Sequence, residues 1–320
     1  MSATALVTGG GGFVGQWLAR GLLARESSVV SFGLHPPVAG ILSPSEVKEV
    51  DWRQGDVRDA DVLRRTIEEA RPDVVYHLAG ISFVPEARDA PAVAYEINVL
   101  GAVRLLAAIA TLKAAGTLDP TVIIVGSATQ YGRHDPAEMP LVELSEQRPQ
   151  DVYAASKAAQ EIASLQMCRA EGVRVVCTRS FNHSGVGHAE HFLLPALVRR
   201  VLSLRGAAKP RLSMGNQDSV RDYLHVADVV EAYLQLADKA SPGEVYNVCS
   251  GDGVSAGQLA REVLLRVGVS AEITTDPALA RGGDVPVLVG SPAKLARTTG
   301  WRPIRSRSDI IDDLIHAATR

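Results

Sequence analysis

The feature that most limits how this chain can fold is the glycine-rich run Thr8-Gly9-Gly10-Gly11-Gly12-Phe13-Val14-Gly15. An apolar strand is predicted before it, and apolar residues at helical spacing follow it. Glycine allows a sharp turn and a close approach to a pyrophosphate, and the free N–H groups of the next helix favour an anion. We therefore predict that a dinucleotide binds here, on Gly9, Gly12, Phe13, Val14 and Gly15.

Short apolar runs alternate with longer helical patterns through the first half of the chain. The predicted strands are Ala3–Val7, Val29–Phe32, Val74–Leu78, Val122–Val125 and Val173–Thr178, and the predicted long helices are Val93–Leu112 and Tyr153–Ala170. The strand runs are continuously apolar, which is typical of a parallel sheet covered on both faces. Right-handed crossovers then give an α/β fold with a doubly wound parallel sheet of the Rossmann type.

The second half of the chain has a different composition. Glycine, proline and histidine are frequent from Phe181 to about Pro210, and a mixed α/β pattern runs from Pro242 to Asp284. We predict a dinucleotide-binding domain over 1–178, joined by about 216–248 and the C-terminal helix. The segments 179–215 and 249–300 are predicted to form a smaller α/β lobe that binds the substrate.

The net charge, the cysteines and the hydropathy limit the partners, the metal sites and the compartment expected for this chain. The net charge is −3, which argues against nucleic acid as a partner. Cys168, Cys177 and Cys249 show neither a disulfide framework nor a metal-ligand spacing, as expected for reduced thiols in the cytosol. We see no secretory leader and no uninterrupted apolar run long enough to span a bilayer. A cytoplasmic protein with no membrane partner and no metal is expected.

The end of the second predicted strand bears on the choice of cofactor. The segment Ser31–Pro36 contains no Asp or Glu to hold the ribose 2′-hydroxyl of NAD, and no Arg to hold a 2′-phosphate. The missing acid tilts the prediction towards NADP(H), with NAD(H) as the second choice.

Tyr153 and Lys157 lie four residues apart in a predicted helix and therefore share one face of it. A lysine ammonium near a phenol favours the phenolate and lowers the phenol pKa from about 10. Such a tyrosine can exchange a proton with a carbonyl or alcohol oxygen. Ser127, just after the strand Val122–Val125, could hydrogen-bond the same oxygen, and Lys157 could also hold the nicotinamide ribose. A Tyr–Lys pair is common on helix surfaces, but its combination with a dinucleotide turn indicates a catalytic trio.

At these residues the chain resembles the extended short-chain dehydrogenases/reductases of the nucleotide-sugar type. The motifs stand in family order: the glycine turn, Gly55-Asp56-Val57, His77-Leu78-Ala79-Gly80, Asn98-Val99-Leu100-Gly101, Tyr131-Gly132 and the Tyr153/Lys157 pair. The resemblance implies that Asp56 and Val57 contact the adenine, that Leu78, Ala79 and Gly80 line the cofactor, and that Asn98 steadies the site.

The later segments are similar to the branch that contains GDP-mannose dehydratases and GDP-4-keto-6-deoxymannose reductases. The similarity is strongest along Arg179–Gly187, continues through Glu190-His191-Phe192, and returns at Val220–Val226 and Arg281–Val285. It implies a substrate site with a GDP-linked sugar diphosphate on Asn182, His191, Arg221, Arg281 and Asp284. The histidines His183, His188 and His191 could suggest a metal, but no accompanying carboxylate or cysteine spacing supports one.

The residues after Ser127 separate the reactions known in this branch. Related dehydratases carry a glutamate or an Asp-Glu pair there, whereas this chain has Ala128 and Thr129 and so lacks an acid and base for elimination. The favoured prediction is NAD(P)H-dependent reduction of a 4-keto-6-deoxyhexose, GDP-4-keto-6-deoxymannose to GDP-D-rhamnose or its C4 epimer, as in deoxysugar biosynthesis.

Three alternatives remain. The first is a nucleotide-sugar 4-epimerase that retains NAD, and the less favoured ones are a 4,6-dehydratase and an inactive dinucleotide-binding protein. By the same resemblance a homodimer is expected, formed by pairing Val93–Leu112 and Tyr153–Ala170 into a helix bundle.

Overall fold

The computed structural model describes residues 3–36, 40–279 and 285–319. The strands are β1 (Thr4–Thr8), β2 (Ser28–Gly33), β3 (Val50–Gln54), β4 (Val74–His77), β5 (Thr121–Ser127), β6 (Arg174–Ser180), β7 (Asn182–Ser184), β8 (Arg211–Met214), β9 (Val220–His225), β10 (Val245–Val248), β11 (Gly253–Ser255), β12 (Glu272–Thr275) and β13 (Val287–Leu288). The helices are α1 (Phe13–Leu23), α2 (Pro44–Glu49), α3 (Ala60–Ala70), α4 (Val84–Asp89), α5 (Pro91–Tyr95), α6 (Gly101–Ala114), α7 (Val152–Glu171), α8 (Leu193–Leu202), α9 (Val226–Lys239), α10 (Ala256–Val267), α11 (Ala293–Thr299) and α12 (Arg307–Ala318).

Seven parallel strands form the central sheet in the order β3-β2-β1-β4-β5-β6-β10. The chain first moves outward from β1 to β3 and then returns to β4 on the other side of β1. A ligand crevice forms at such a reversal, outside the carboxyl ends of the strands. The glycine turn follows β1 and the predicted catalytic serine ends β5, so both lie at this edge.

Helices cover both faces of the sheet, as the continuously apolar strands predict. On one face α1 and α9 pack over a core that includes Leu18, Val230 and Tyr76. On the other, α3, α6 and α7 cover a core that includes Leu63, Leu105 and Val175. The predicted doubly wound α/β fold is confirmed.

The edge strand β3 is absent from the sequence prediction. Its residues, Val50-Asp51-Trp52-Arg53-Gln54, mix apolar and charged side chains because only one neighbouring strand, β2, pairs with it. The predicted helix Val93–Leu112 is also interrupted. A π-helical turn, Glu96–Leu100, separates α5 from α6.

Beyond the central sheet, β11, β9 and β13 form a second sheet, and β7 also pairs with β9. Strands β8 and β12 form a third. Helices α8, α10 and α12 enclose a separate core with Leu197, Leu259 and Ile310. The division of the chain into two domains stays a prediction.

The helical run Pro91–Ala114 meets the length and hydropathy criteria for a membrane span. It has 24 residues, an 18-residue window of mean hydropathy 1.6, and 44% of that window buried within the protein. The sequence-based expectation concerned an uninterrupted apolar run, and Glu96, Asn98 and Arg104 interrupt this one. One such helix is weak support for a membrane span, because core helices of soluble proteins meet the same criteria.

Candidate active site

The glycine turn leaves room for a ligand at one position and none at the others. Gly9 has a φ of +71°, and a Cβ there would lie 2.8 Å from the Ala79 nitrogen. A Cβ on Gly15 would lie 2.5 Å from the Gly9 carbonyl oxygen. Gly12 differs, because among the described residues a Cβ there would meet only the Gly9 carbonyl oxygen, at 3.2 Å. Gly12 therefore borders the open side of the turn.

The first helix begins directly at this opening. Gly12 is the N-cap of α1 and contributes no side-chain cap, so Phe13 and Val14 present the first N–H groups of the helix. These groups and the helix dipole suit a pyrophosphate. The cradle formed by the turn thus fits a dinucleotide cofactor.

Two further glycines of the turn have a steric role that sequence reasoning missed. A Cβ on Gly10 would overlap the Ser31 hydroxyl, and a Cβ on Gly11 would overlap the His35 carbonyl oxygen. Both contacts bring the turn against the end of β2. The requirement could be found only once β2 was placed beside β1.

Ser127, Tyr153 and Lys157 come together at the carboxyl edge of β5. Ser127 ends the strand, and its hydroxyl lies beside the Tyr153 phenol. Tyr153 and Lys157 follow Asp151, whose carboxylate caps α7 by accepting a hydrogen bond from the Ala154 nitrogen at 2.8 Å. The cap sets the start of α7 so that both side chains face the end of β5.

Lys157 is almost completely buried, and no carboxylate among residues 3–36, 40–279 and 285–319 pairs with it. Its ammonium donates to the Val125 carbonyl oxygen at 2.9 Å and to Gln160 Oε1 at 3.0 Å. Burial lowers the pKa of Lys157 to about 8. A Cβ on Gly80 would lie 3.5 Å from Lys157 Nζ, so the backbone after β4 passes directly beside the ammonium.

The expected lowering of the Tyr153 pKa by Lys157 is wrong for this structure. Burial raises the pKa of Tyr153, the hydrogen bond with Ser127 partly offsets that rise, and the charge of Asp151 adds to it. The Lys157 ammonium makes its hydrogen bonds elsewhere, so the phenol is protonated at neutral pH. A protonated phenol is the form that can donate a proton.

Asn98 supports the site through buried hydrogen bonds and is not exposed at the crevice. Its side chain is fully buried: Oδ1 accepts from the Ile81 nitrogen at 2.8 Å, and Nδ2 donates to the Ser156 hydroxyl at 2.9 Å. Because Ser156 lies on α7 and Ile81 follows β4, Asn98 joins the cofactor edge to the catalytic helix. The π-helical turn at Glu96–Leu100 carries this side chain.

The residues expected around the cofactor lie at successive strand ends. Asp56 follows β3, and its carboxylate accepts from Arg58 at 2.6 Å, which lowers its pKa. The Val57 side chain is buried in the core, where a Cβ on Gly101 would lie 2.9 Å from it. Leu78, Ala79 and Gly80 follow β4 beside the glycine turn, with Leu78 and Ala79 partly buried and Gly80 exposed.

The three histidines of the 183–191 segment lie in a stack of rings. His188 stacks between Phe13 and Phe192, at centroid distances of 4.7 and 4.3 Å. His191 is exposed, and its ring centroid lies 4.4 Å from that of Phe83. Burial and the neighbouring histidines lower the pKa of His188 to about 3. Across residues 3–36, 40–279 and 285–319, no cluster of His, Cys, Asp and Glu suits a metal ion.

Two of the predicted phosphate ligands lie on neighbouring strands. Asn182 of β7 pairs with Tyr223 of β9, and Arg221 is two residues earlier on β9. Asn182 is exposed, whereas Arg221 is partly buried and donates to the Val220 carbonyl oxygen at 2.9 Å. Alternation along β9 places Tyr223 and Arg221 on one face. Arg281 and Asp284 lie outside the described residues.

Behind Ser127 lies a buried charged pair that the sequence analysis did not single out. Arg179 donates to both carboxylate oxygens of Glu161, at 2.9 and 2.7 Å, and both side chains are 5% exposed. The available sign was a charged residue near the end of β6, a strand flanked by β5 and β10, because buried charges require partners.

Comparison with known proteins agrees with this geometry. A family model described as GDP-mannose 4,6 dehydratase matches residues 6–314. The GDP-6-deoxy-D-mannose reductase of Pseudomonas aeruginosa is 36% identical over 304 residues, which cover 95% of this chain and 93% of that protein.

Two solved structures extend the comparison over 99% of both chains. The structure of RMD from Pseudomonas aeruginosa complexed with NADPH has a TM-score of 0.81 and 33% identity. The UDP-glucose 4-epimerase of Thermus thermophilus, complexed with NAD, has a TM-score of 0.85 and 28% identity. The resemblance seen in the sequence and the Rossmann-type fold are thereby confirmed.

Proposed function

Since this chain belongs to the GDP-mannose 4,6-dehydratase family, within the extended short-chain dehydrogenases/reductases, we propose that it is an NADPH-dependent reductase of a nucleotide-bound 4-keto-6-deoxyhexose. One observation carries the proposal: Ser127, Tyr153 and Lys157 meet at the crevice, while no carboxyl group stands at Ala128 or Thr129. The Thr129 hydroxyl contacts the Ser127 hydroxyl at 2.9 Å and offers no general acid for elimination. Reduction needs only one proton donor.

The cofactor that fits the cradle is a nicotinamide dinucleotide, with NADP(H) favoured and NAD(H) second. When bound, it supplies the hydride. The N–H groups of Phe13 and Val14 would hold its pyrophosphate, and Gly12 would let the backbone approach it. Asp56, Val57, Leu78, Ala79 and Gly80 are proposed to line the remainder of the cofactor site.

The proton comes from Tyr153. Its raised pKa keeps the phenol protonated until a substrate oxygen that is gaining negative charge lies against it. Ser127, which lies beside the phenol, orients the same oxygen. Lys157, whose ammonium donates to Val125 and Gln160, is proposed to hold the nicotinamide ribose.

The second part of the site is proposed to bind a GDP-linked sugar. Asn182 and Arg221 lie on the neighbouring strands β7 and β9, on the side of the crevice where the substrate would bind. A guanidinium binds phosphate oxygens in bidentate fashion. His191 is exposed beside Phe83, where it can contact the sugar. Arg281 and Asp284 are kept as proposed ligands from the sequence alone. The resulting reaction is GDP-4-keto-6-deoxymannose to GDP-D-rhamnose or its C4 epimer.

A nucleotide-sugar 4-epimerase with retained NAD is the second candidate. It is favoured by one observation, the similarity over 99% of the chain to an epimerase complexed with NAD. Such an enzyme needs the same Ser, Tyr and Lys groups. The two candidates differ in whether the cofactor is consumed.

We also propose how the chain is organised in solution. The segments 1–178, about 216–248 and the C-terminal helix would form the dinucleotide domain, and 179–215 with 249–300 the substrate lobe. The assembly would be a homodimer in the cytoplasm without a membrane partner. The run Pro91–Ala114 would then contribute to the subunit interface.

The reductase proposal is tested by replacing the proton donor. Tyr153→Phe removes the phenol hydroxyl and leaves the ring, so NADPH binding should persist while turnover falls roughly 100- to 10,000-fold. The measurement is stopped-flow oxidation of NADPH by GDP-4-keto-6-deoxymannose, with 4-deuterated NADPH placing deuterium at sugar C4. Tyr95→Phe, on α5 in the proposed subunit interface and outside the catalytic trio, controls for the loss of a phenol hydroxyl.

The same assay separates the two candidates. Stoichiometric loss of NADPH with deuterium at C4 supports a reductase. Interconversion of two 4-hydroxy sugars without net loss of cofactor supports the epimerase. Near-normal turnover by Tyr153→Phe would rule out this tyrosine as the donor in either reaction.

A further inference from the structure

We propose that Gln130 is a positioning residue, which sets the place of Ser127 relative to Tyr153 and Lys157 through a buried link to Glu161 and Arg179. The inference rests on the proposed role of Ser127 as the group that orients the reacting oxygen. Gln130 touches neither substrate nor cofactor in this assignment.

Gln130 is completely buried and uses both ends of its amide. Its Oε1 accepts a hydrogen bond from the Ser127 backbone nitrogen at 2.8 Å. Its Nε2 donates to Glu161 Oε2 at 3.0 Å. A Cβ on Gly126 would lie 2.6 Å from Gln130 Oε1, so the strand before Ser127 is shaped to admit this amide.

Glu161 connects the amide to the catalytic helix. It lies one turn after Lys157 on α7, and its carboxylate also accepts from Gln147 at 2.7 Å and from two nitrogens of Arg179. Arg179 belongs to β6, which pairs with β5 in register at Gly126. The carboxylate is thus held from three elements.

The link therefore joins the end of β5 to α7 by side chains that water does not reach. Ser127 is the N-cap of the short 3-10 turn Ala128–Tyr131. Through Glu161, Gln130 ties that turn to α7, the helix that carries Tyr153 and Lys157. A buried ion pair is a poor source of net stability, but it has strict geometry. Its role here is to keep the Ser127 hydroxyl and the Tyr153 phenol in a fixed relative position.

The Gln130 amide satisfies both neighbours at position 130. The Ser127 N–H needs an acceptor, and the Glu161 carboxylate needs a donor. A carboxylate could satisfy the first but would repel the second unless it were protonated. A hydrocarbon side chain would satisfy neither.

The test uses Gln130→Glu, measured as turnover against pH. The introduced carboxyl can donate to Glu161 only while it is protonated. Burial and the Glu161 charge raise the pKa of the introduced carboxyl, whereas Arg179 opposes that rise. Turnover should fall at least about tenfold as pH rises from roughly 6 to 8, beyond any change in wild type, with NADPH affinity unchanged within about twofold. The double exchange Gln130→Glu/Glu161→Gln restores one donor and one acceptor and should remove this pH dependence.

Gln235→Glu is the matched control. Gln235 donates to the Glu231 carboxylate at 2.8 Å on α9, the same pairing of amide and carboxylate at a distant helix. The pH profile of this variant should match that of wild type. A merely structural role for Gln130 would lower thermal stability and leave the shape of the pH profile unchanged.

A second measurement does not depend on the reaction. Gln130→Leu removes the acceptor, so amide hydrogen exchange at Ser127 should speed up at least about tenfold compared with wild type. If wild type oxidises no NADPH with the 4-keto sugar, the proposed function fails and the exchange result alone decides the inference. Matching pH profiles for Gln130→Glu and wild type, or unchanged exchange at Ser127 in Gln130→Leu, would overturn it.

Discussion

Lys157 is a buried cation, and its hydrogen-bond partners in the described part of the chain are all neutral. Its donors meet a backbone carbonyl and the Gln160 amide, and burial lowers its pKa to about 8, below the ordinary lysine value of 10.5. The same arrangement costs stability, because the unfolded chain solvates the ammonium better.

That cost has a predictable pH dependence. Between about pH 8 and 10 the unfolded chain binds more protons at Lys157 than the folded chain, so the unfolding free energy of wild type should rise with pH in this window. Relative to Lys157→Met, which cannot titrate, the rise should be at most about 1.4 kcal/mol per pH unit. Denaturant unfolding of both proteins at pH 7, 8, 9 and 10 provides the measurement.

Lys48→Met, on the exposed face of α2, corrects for the general effect of losing a lysine charge. A difference between wild type and Lys157→Met that stays constant from pH 7 to 10 would contradict the buried, depressed titration.

The first turn and α1 form the element on which cofactor binding depends. Gly12 borders the opening, whereas Gly21, later on α1, faces Val230 and Leu234 of α9. A methyl group at these two positions would therefore meet different surroundings. One would enter the cofactor crevice and the other would press on side chains of the protein core.

We expect Gly12→Ala to weaken NADPH binding at least about tenfold, because its Cβ would occupy the approach to the pyrophosphate. Gly21→Ala should leave the affinity unchanged, since α1 keeps its first turn. Fluorescence titration with NADPH measures both variants. Equal affinities for Gly12→Ala and wild type would show that the pyrophosphate lies elsewhere.

In the whole molecule, apolar side chains remain exposed on neighbouring helices. Val93 and Tyr95 of α5, Leu100 of the π-helical turn and Ile162 of α7 are 38%, 40%, 46% and 63% exposed. Since α5 and the π-helical turn pack against α7, these side chains share one surface. A second copy of the chain would cover them as a helix bundle.

Ile162→Glu should convert the expected dimer to a monomer, because an unpaired carboxylate in an apolar interface is costly to bury. Sedimentation equilibrium of the variant and of wild type tests this. Leu265→Glu changes an equally apolar side chain on α10, 81% exposed, and should leave the assembly intact. A monomeric wild type would refute the interface.

Local residues were enough to predict the parts of the molecule that depend on contiguous sequence. The glycine run follows a strand and opens a helix, and β1, β2, β4, β5 and β6 each contain a continuous apolar run, because burial on both faces of a sheet leaves that pattern in the sequence. The four-residue spacing of Tyr153 and Lys157 likewise places both on one helical face.

The tertiary structure decided what depends on residues far apart in the chain. The direction of the Tyr153 pKa shift follows from burial and from where the Lys157 ammonium points, and that is set by a carbonyl 32 residues earlier. The link from Ser127 through Gln130 to Glu161 and Arg179 exists only because β5, α7 and β6 meet. Spacing along the chain specifies which face a side chain occupies, whereas hydrogen-bond partners and dielectric surroundings are settled by packing between elements.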